Sequence, residues 1–192
     1  MDIDIDKLQA LIEGCIAEDS AMQRRFYDLY YPVMMRVSVR YAPSLEDAEQ
    51  WVHDGLLKVF SNLEKFGFQG SFEGWVKKII TRVCLDNIRT SNAKKNEVEK
   101  NTFFNIDTDK SAVNLGVNSF IDDRIESEAI IDVLRRLPDR QRTVFNLYVF
   151  EEFNHKDIAK ELEITETNSH WLLHQAKKHL KSVLTAPSKI TI

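Results

Sequence analysis

Apolar residues recur at helical spacing in two stretches of this 192-residue chain, and a polar, aperiodic stretch divides them. The first block, 5–17, sets Ile5, Leu8, Leu11, Ile12 and Ile16 along one side of a short amphipathic helix. Glu18-Asp19-Ser20 interrupts it and offers caps to its successor. Residues 21–42 interleave aromatic, aliphatic and basic side chains, and Pro32, which removes one backbone hydrogen bond, predicts a kink there. Ser44 followed by Asp47 reads as a capping box. It opens a third helix over 45–64, with Leu45, Ala48, Val52, Leu56, Val59, Phe60 and Leu63 facing inward.

The stretch that organises the rest is Phe66–Arg89. It starts as a loop, Phe66-Gly67-Phe68-Gln69-Gly70, and Ser71 is placed to cap a fourth helix. Glu73 suits the positive end of that helix, and Phe72, Trp75, Val76, Ile79, Ile80, Val83, Leu85 and Ile88 follow at helical period. Lys77, Lys78, Arg82 and Arg89 supply its positive charge, and no acid stands between Glu73 and Asp86. A basic helix entered through an aromatic loop suits a nucleic-acid backbone and an unpaired base. An ordinary core helix with a solvated lysine face has the same pattern. Each of Phe66 and Phe68 is open to both readings, base holder or core plug.

From Thr90 to about Glu126 the pattern dissolves into an Asn-rich, polar run that reads as a linker, in which Phe103, Phe104, Phe120 and Ile121 are candidates to dock. Residues 127–184 then give four short helices. Pro138 is placed in the first turn of the second, and Asn154-His155-Lys156-Asp157 caps the third. The three-residue turn Glu163-Ile164-Thr165 leads into a fourth helix with Ser169, Leu173, Ala176, Leu180 and Val183 inward. That succession is a helix-turn-helix pattern; a plain helical bundle is its alternative. The fold class is therefore all-α, as two small helical domains at 1–91 and 127–192 joined by a linker at 92–126.

Composition narrows the class. With 43% hydrophobic and 29% charged residues the chain is an ordinary globular one, and six glycines with four prolines argue against a turn-rich β fold. Net charge is −4, distributed as −3 over 1–90, −2 over 91–126 and +1 over 127–192, so duplex binding by the free chain should be weak. Cys15 and Cys84 stand apart, as expected of reduced, buried thiols in a cytoplasmic protein. No signal peptide or membrane-spanning run is present, and no membrane insertion is expected.

Most chemical motifs are missing. Gly67–Gly70 has the G-x-x-G spacing of KH modules, but helical rather than strand patterns flank it. His170 and His174 are one turn apart, yet no carboxylate or thiolate completes a metal set, so neither metal nor cofactor is expected. No nucleophile, base and oxyanion donor assemble, which argues against an enzyme.

Two distant motifs then agree. The chain resembles the extracytoplasmic-function class of bacterial RNA polymerase sigma factors. Leu29-Tyr30-Tyr31-Pro32 looks like the opening of the first conserved domain of that family. Glu46 to Phe60 looks like the helix that docks on the polymerase, and Ser71 to Arg89 like the segment that reads the promoter −10 element. Leu137 to Leu162, with Ala176-Lys177-Lys178, looks like the −35-reading helix-turn-helix. The resemblance implies core polymerase and promoter DNA as partners, an anti-sigma factor holding the chain inactive, and cytoplasmic action. Carried over residue by residue, it puts polymerase contact on Glu46, Asp47, Glu49, Gln50, His53, Asp54 and Lys58. Contact with the melted −10 strand falls on Lys65, Phe66, Phe68, Gln69, Ser71, Lys78, Arg82 and Arg89. Contact with the −35 duplex falls on Thr167, Asn168, His170, Trp171, His174, Gln175 and Lys178.

The departures from the family pattern are specific. His53-Asp54 stands where Gln-Glu is usual, Arg82 where Asn is common, and Glu163 where the turn usually has Gly, which implies a positive φ. His170, Leu172 and Gln175 occupy positions often basic, and Trp171 replaces a small polar residue, so guanine reading by arginine is not available on this face. Two other readings remain open on the residues alone. One is a stand-alone helix-turn-helix regulator, which leaves 65–89 without a role; the other is a sigma-like adaptor that binds polymerase without reading DNA.

Overall fold

The structure is a computed structural model that describes residues 4–101 and 128–185, with side chains over 4–91 and 130–183. It is all-α among the described residues, and the chain divides into two compact units between Asn118 and Ser119.

The first unit holds α1 (Ile5–Ile16), α2 (Ser20–Tyr41), α3 (Leu45–Phe60), a 3₁₀ turn at Leu63–Lys65 and α4 (Phe72–Asn101). Caps fix most starts. Asp19 accepts from the backbone N–H groups of Ala21 and Met22 at 2.8 and 3.2 Å. Ser44 Oγ accepts from Asp47 N at 3.0 Å while its hydroxyl donates in return to the Asp47 carboxylate. Ser71 Oγ accepts from Gly74 N at 3.2 Å. The helix α2 continues past Pro32. Its inner face, with Phe26, Met34, Val37 and Tyr41 fully buried, packs against α3 and α4, whose own buried residues include Val52 and Val59, and Val76, Ile80 and Cys84. Gly55 permits this close approach, since a Cβ there would stand 2.8 Å from Ile80 Cδ1 and 2.9 Å from Met34 Cε. Cys15 and Cys84 are free and buried, and burial, with Asp19 adding to it, pushes the Cys15 thiol up to about 11.

The end of α4 differs from expectation. The helix does not stop near Thr90 but runs through Asn101, ten residues beyond the domain bound at 91. Residues 92–101 lack an apolar period, but they contain Ala93, Lys94, Lys95, Glu97, Glu99 and Lys100 and no Gly or Pro. Such residues are good helix formers, and a run of them favours continuing the helix. Phe103, Phe104, Phe120 and Ile121 lie outside the described residues.

The second unit holds α5 (Glu128–Arg135), α6 (Asp139–Val149), α7 (His155–Leu162) and α8 (Glu166–Thr185). Leu134, Leu137, Val144, Leu147, Ile158, Leu173 and Ala176 form its core. Pro138 stands at the position just before α6, one residue earlier than expected, and supplies no side-chain cap. Asn154 caps α7 as expected, its side-chain oxygen accepting from Asp157 N at 2.8 Å. Glu163 ends α7 at φ 54° and ψ 43°, the left-handed conformation that a glycine would adopt without strain. Three residues, Glu163-Ile164-Thr165, separate α7 from α8, and Thr165 Oγ1 accepts from Asn168 N at 3.1 Å.

Candidate nucleic-acid interface

The loop before α4 stands on an aromatic column. Phe26 of α2 touches Tyr30, Phe60 and Phe72; Phe72 touches Phe66 and Trp75 at centroid distances of 4.8 and 5.5 Å. Phe66 is buried at 6% exposure and completes this column from the loop. Phe68 lies against Phe66, centroids 5.1 Å apart, yet is 48% exposed. The two aromatics of the loop therefore part ways: Phe66 is a core plug, and its ring is not presented to a ligand. Phe68 sits at φ 55°, in the left-handed region, and Gly70 at φ 88°. A Cβ on Gly67 or Gly70 would meet nothing within 4 Å, so the loop is open at both glycines that flank Phe68. Lys65, Gln69 and Ser71 are exposed beside it, with Lys65 Nζ donating to Asn62 Oδ1 at 2.8 Å.

Along α4, Lys78, Arg82 and Arg89 are exposed at spacings that put them on one face. Lys77 is turned to Glu73 at 2.8 Å, which with Arg36 holds the Glu73 carboxyl below its ordinary range. Asp86 interrupts the basic face; it pairs with Arg89 at 3.2 Å and with Lys58 of α3 at 3.4 Å. Lys58 thus belongs to the junction of α3 and α4 as much as to the acidic face.

That acidic face is real but smaller than the sequence suggests. Glu46, Glu49, Gln50 and His53 are exposed on α3, and Gln50 Nε2 donates to Asp54 at 3.2 Å. Asp47 is half-buried in the cap of its own helix. Leu57 was missed: at 70% exposure it stands one turn from His53 and Asp54. Its signal was present, since Leu57 falls off the inward period that Leu56 and Val59 keep.

In the second unit, Thr167, His170, Trp171, His174 and Lys178 are exposed along one face of α8, with Trp171 at 55%. Asn168 and Gln175 are half-buried at its margins. Leu172 is in the core, so that departure from the family pattern removes nothing from the outer face. The His155 ring, at the capped start of α7, lies 3.6 Å from the His170 ring, a juxtaposition with no signal in the sequence. No group of three or more metal-ligating side chains is found among the described residues. No helix among them is long and apolar enough to cross a membrane.

The comparisons with known proteins agree on both units. The family description Sigma-70 region 2 matches residues 26–94, and Sigma-70, region 4 matches residues 127–180. A probable RNA polymerase sigma factor of Haemophilus influenzae is 24% identical over 160 residues, covering 72% of this chain and 77% of that one. In Bacillus subtilis, the RNA polymerase sigma factor YlaC is 23% identical over 83% of this chain and 90% of its own. There too, the ECF RNA polymerase sigma factor SigW is 21% identical over 82% and 86%. Among solved structures, the sigma factor RpoE in complex with the anti-sigma factor NepR from Bartonella quintana shares the fold at a TM-score of 0.54. Its identity is 16%, over 85% of this chain and 97% of that one. CnrH, solved with the cytosolic domain of CnrY, does so at 0.50 and 14% identity, over 93% and 97%. With regions 2 and 4 both present, in that order and on the two helical units described, the chain belongs to the sigma-70 family of RNA polymerase sigma factors, in its extracytoplasmic-function class.

Proposed function

We propose a division of labour over the surfaces of this sigma factor, which directs RNA polymerase to promoters. The exposed face of α3, from Glu46 through Leu57, docks on core polymerase. The loop 66–70 takes an unpaired base of the −10 strand against Phe68, while Lys65, Lys78, Arg82 and Arg89 follow its backbone. The exposed face of α8 reads the −35 duplex. Residues 1–91 and 127–192 are the functional domains, and 92–126 connect them.

The observation that carries this reading is the exposed ring of Phe68 held on the buried ring of Phe66. An apolar ring kept half in water, at a backbone conformation that costs energy, is supported better by a ligand than by packing. Stacking is the recognition that any base accepts. The chain works by binding and acts without catalysis of its own, in the cytoplasm. An anti-sigma factor is the expected negative partner, since RpoE was solved in complex with the anti-sigma factor NepR and CnrH in complex with the cytosolic domain of CnrY.

Run-off transcription tests the whole reading. The purified chain with core polymerase should start transcripts at discrete sites that core alone does not use. A chain that binds duplex tightly and specifically without core would favour a stand-alone regulator instead.

A further inference from the structure

Three rings form a column across the helix-turn-helix. Tyr148, near the end of α6, stacks on His155 with centroids 4.7 Å apart and planes 28° apart. His155, the first residue of α7, lies against His170 of α8 at 3.6 Å and 30°. Its Nδ1 also shares a 2.9 Å hydrogen bond with Oγ of Ser169, a residue with no exposed surface. One imidazole, seated by the Asn154 cap, therefore touches an exposed residue of the outer α8 face and the buried residue beside it.

We propose that His155 is a positioning residue for the DNA-reading helix, a flat ring wedged between Tyr148 and His170 that aims the His170 ring at the base edges. The proposal rests on the assignment of α8 as the −35 reader. Its physical ground is the absence of arginine on that face. An arginine fork makes two parallel bonds and carries its own geometry. A histidine offers one donor or acceptor toward a base, and a single bond weakens steeply when misaligned. A reading face built on histidine needs its ring held.

The column also sets a proton dependence. The groups facing His155 are Tyr148 from α6 and Glu166, His170 and Lys177 from α8. Burial, then the His170 and Lys177 charges, hold its pKa below the ordinary 6.5 against the opposing pull of Glu166. A depressed histidine pKa means the neutral, stacked arrangement is fully favoured above 6.5 and is lost as pH falls through the lower folded value.

The test uses holoenzyme assembled from the full chain and core polymerase. Its affinity is measured for a duplex carrying a promoter mapped by transcript ends, and for a copy with the −35 element scrambled. The readout is the ratio of the two. His155→Ala should lower that ratio about tenfold or more, and His155→Phe or His155→Tyr should restore it. Between about pH 7.5 and 5.5, across the range where histidine titrates, the wild-type ratio should fall further than the His155→Phe ratio, which keeps His170 and His174 but loses the wedge histidine. If His155→Ala fails to fold, the wild-type and His155→Phe pH profiles decide alone. A normal ratio for His155→Ala, or parallel pH profiles for wild type and His155→Phe, overturns the positioning role and leaves the α8 assignment standing. A wild-type ratio of about one at both ends of that pH range overturns the α8 assignment and this inference together.

Discussion

The rings of Phe66 and Phe68 touch at 5.1 Å, yet one is 6% exposed and the other 48%. Two residues apart in one loop, they do different work. Phe66 closes the aromatic column that anchors the loop on α2 and α4. Phe66→Ala should therefore open a cavity and lower stability by about 3–5 kcal/mol, read as a drop in thermal midpoint. A melting curve like wild type would mean the ring is not part of the core.

Leu57 should be an anchor for polymerase. A leucine at 70% exposure on an otherwise polar face contributes little to the fold. Leu57→Ala should melt like wild type and bind core polymerase at least about 1 kcal/mol more weakly, the threshold that marks an energetically important contact. Unchanged core affinity in a competition assay would place the docking surface elsewhere. Charge reversal at Glu46 and Glu49 is the cleaner companion test, because Asp47 is engaged in the α3 cap and its reversal would disturb the helix as well.

Asp86 restrains the basic face of α4. Its pairs with Lys58 and Arg89 are about half exposed, so each contributes only about 0–1 kcal/mol to stability. Asp86→Asn should leave the melting curve almost unchanged, strengthen holoenzyme binding to promoter DNA and steepen its salt dependence. A flat response to salt would show that this face does not follow the strand.

Glu163 should tolerate glycine. The left-handed conformation costs a non-glycine residue about 1–2 kcal/mol, and glycine's extra chain entropy offsets roughly half of it. Glu163→Gly should raise the stability of the second unit slightly. A clear loss would mean the side chain makes a stabilising contact.

The fold was legible where it depends on local chemistry. Ser44, Ser71 and Asn154 stand at the starts that their hydroxyl and amide groups announce, and the Glu163 turn has its expected length and backbone sign. The continuation of α4 to Asn101 was not legible, because those residues show no apolar period in the sequence. At the candidate site, sequence could place Phe66 and Phe68 in one loop but not choose between them. Burial depends on Phe26, Phe72 and Trp75, brought together from two other helices. The Tyr148–His155–His170 column was hidden for the same reason, since it joins three helices whose periods say nothing about one another.

Alkaline pH should unsettle the first unit. Burial pushes the Cys15 thiol up to about 11 and the Tyr30 phenol up to about 12, with Asp19 and Glu73 respectively adding to it. Both groups are neutral when protonated, and the unfolded chain loses these protons first as pH rises. Stability is therefore fully present below the ordinary values of 9.0 and 10.0 and should decline as pH climbs toward 11 and 12. Cys15 should also resist alkylation near pH 8 until the chain is unfolded, which a labelling time course measures. Rapid labelling of the native protein would contradict its buried placement.

The most direct test of the account is Phe68→Ala in holoenzyme on a mapped promoter, followed by permanganate footprinting of unpaired thymines at the −10 element. The ring is half exposed where it lies against Phe66, so the variant should melt close to wild type and bind core polymerase normally. Losing a base-stacking ring worth about 1–3 kcal/mol should cut the equilibrium constant for promoter opening by roughly five- to 150-fold. Normal permanganate reactivity in a well-folded, core-bound Phe68→Ala protein would contradict the assignment of the loop as the strand-capturing element.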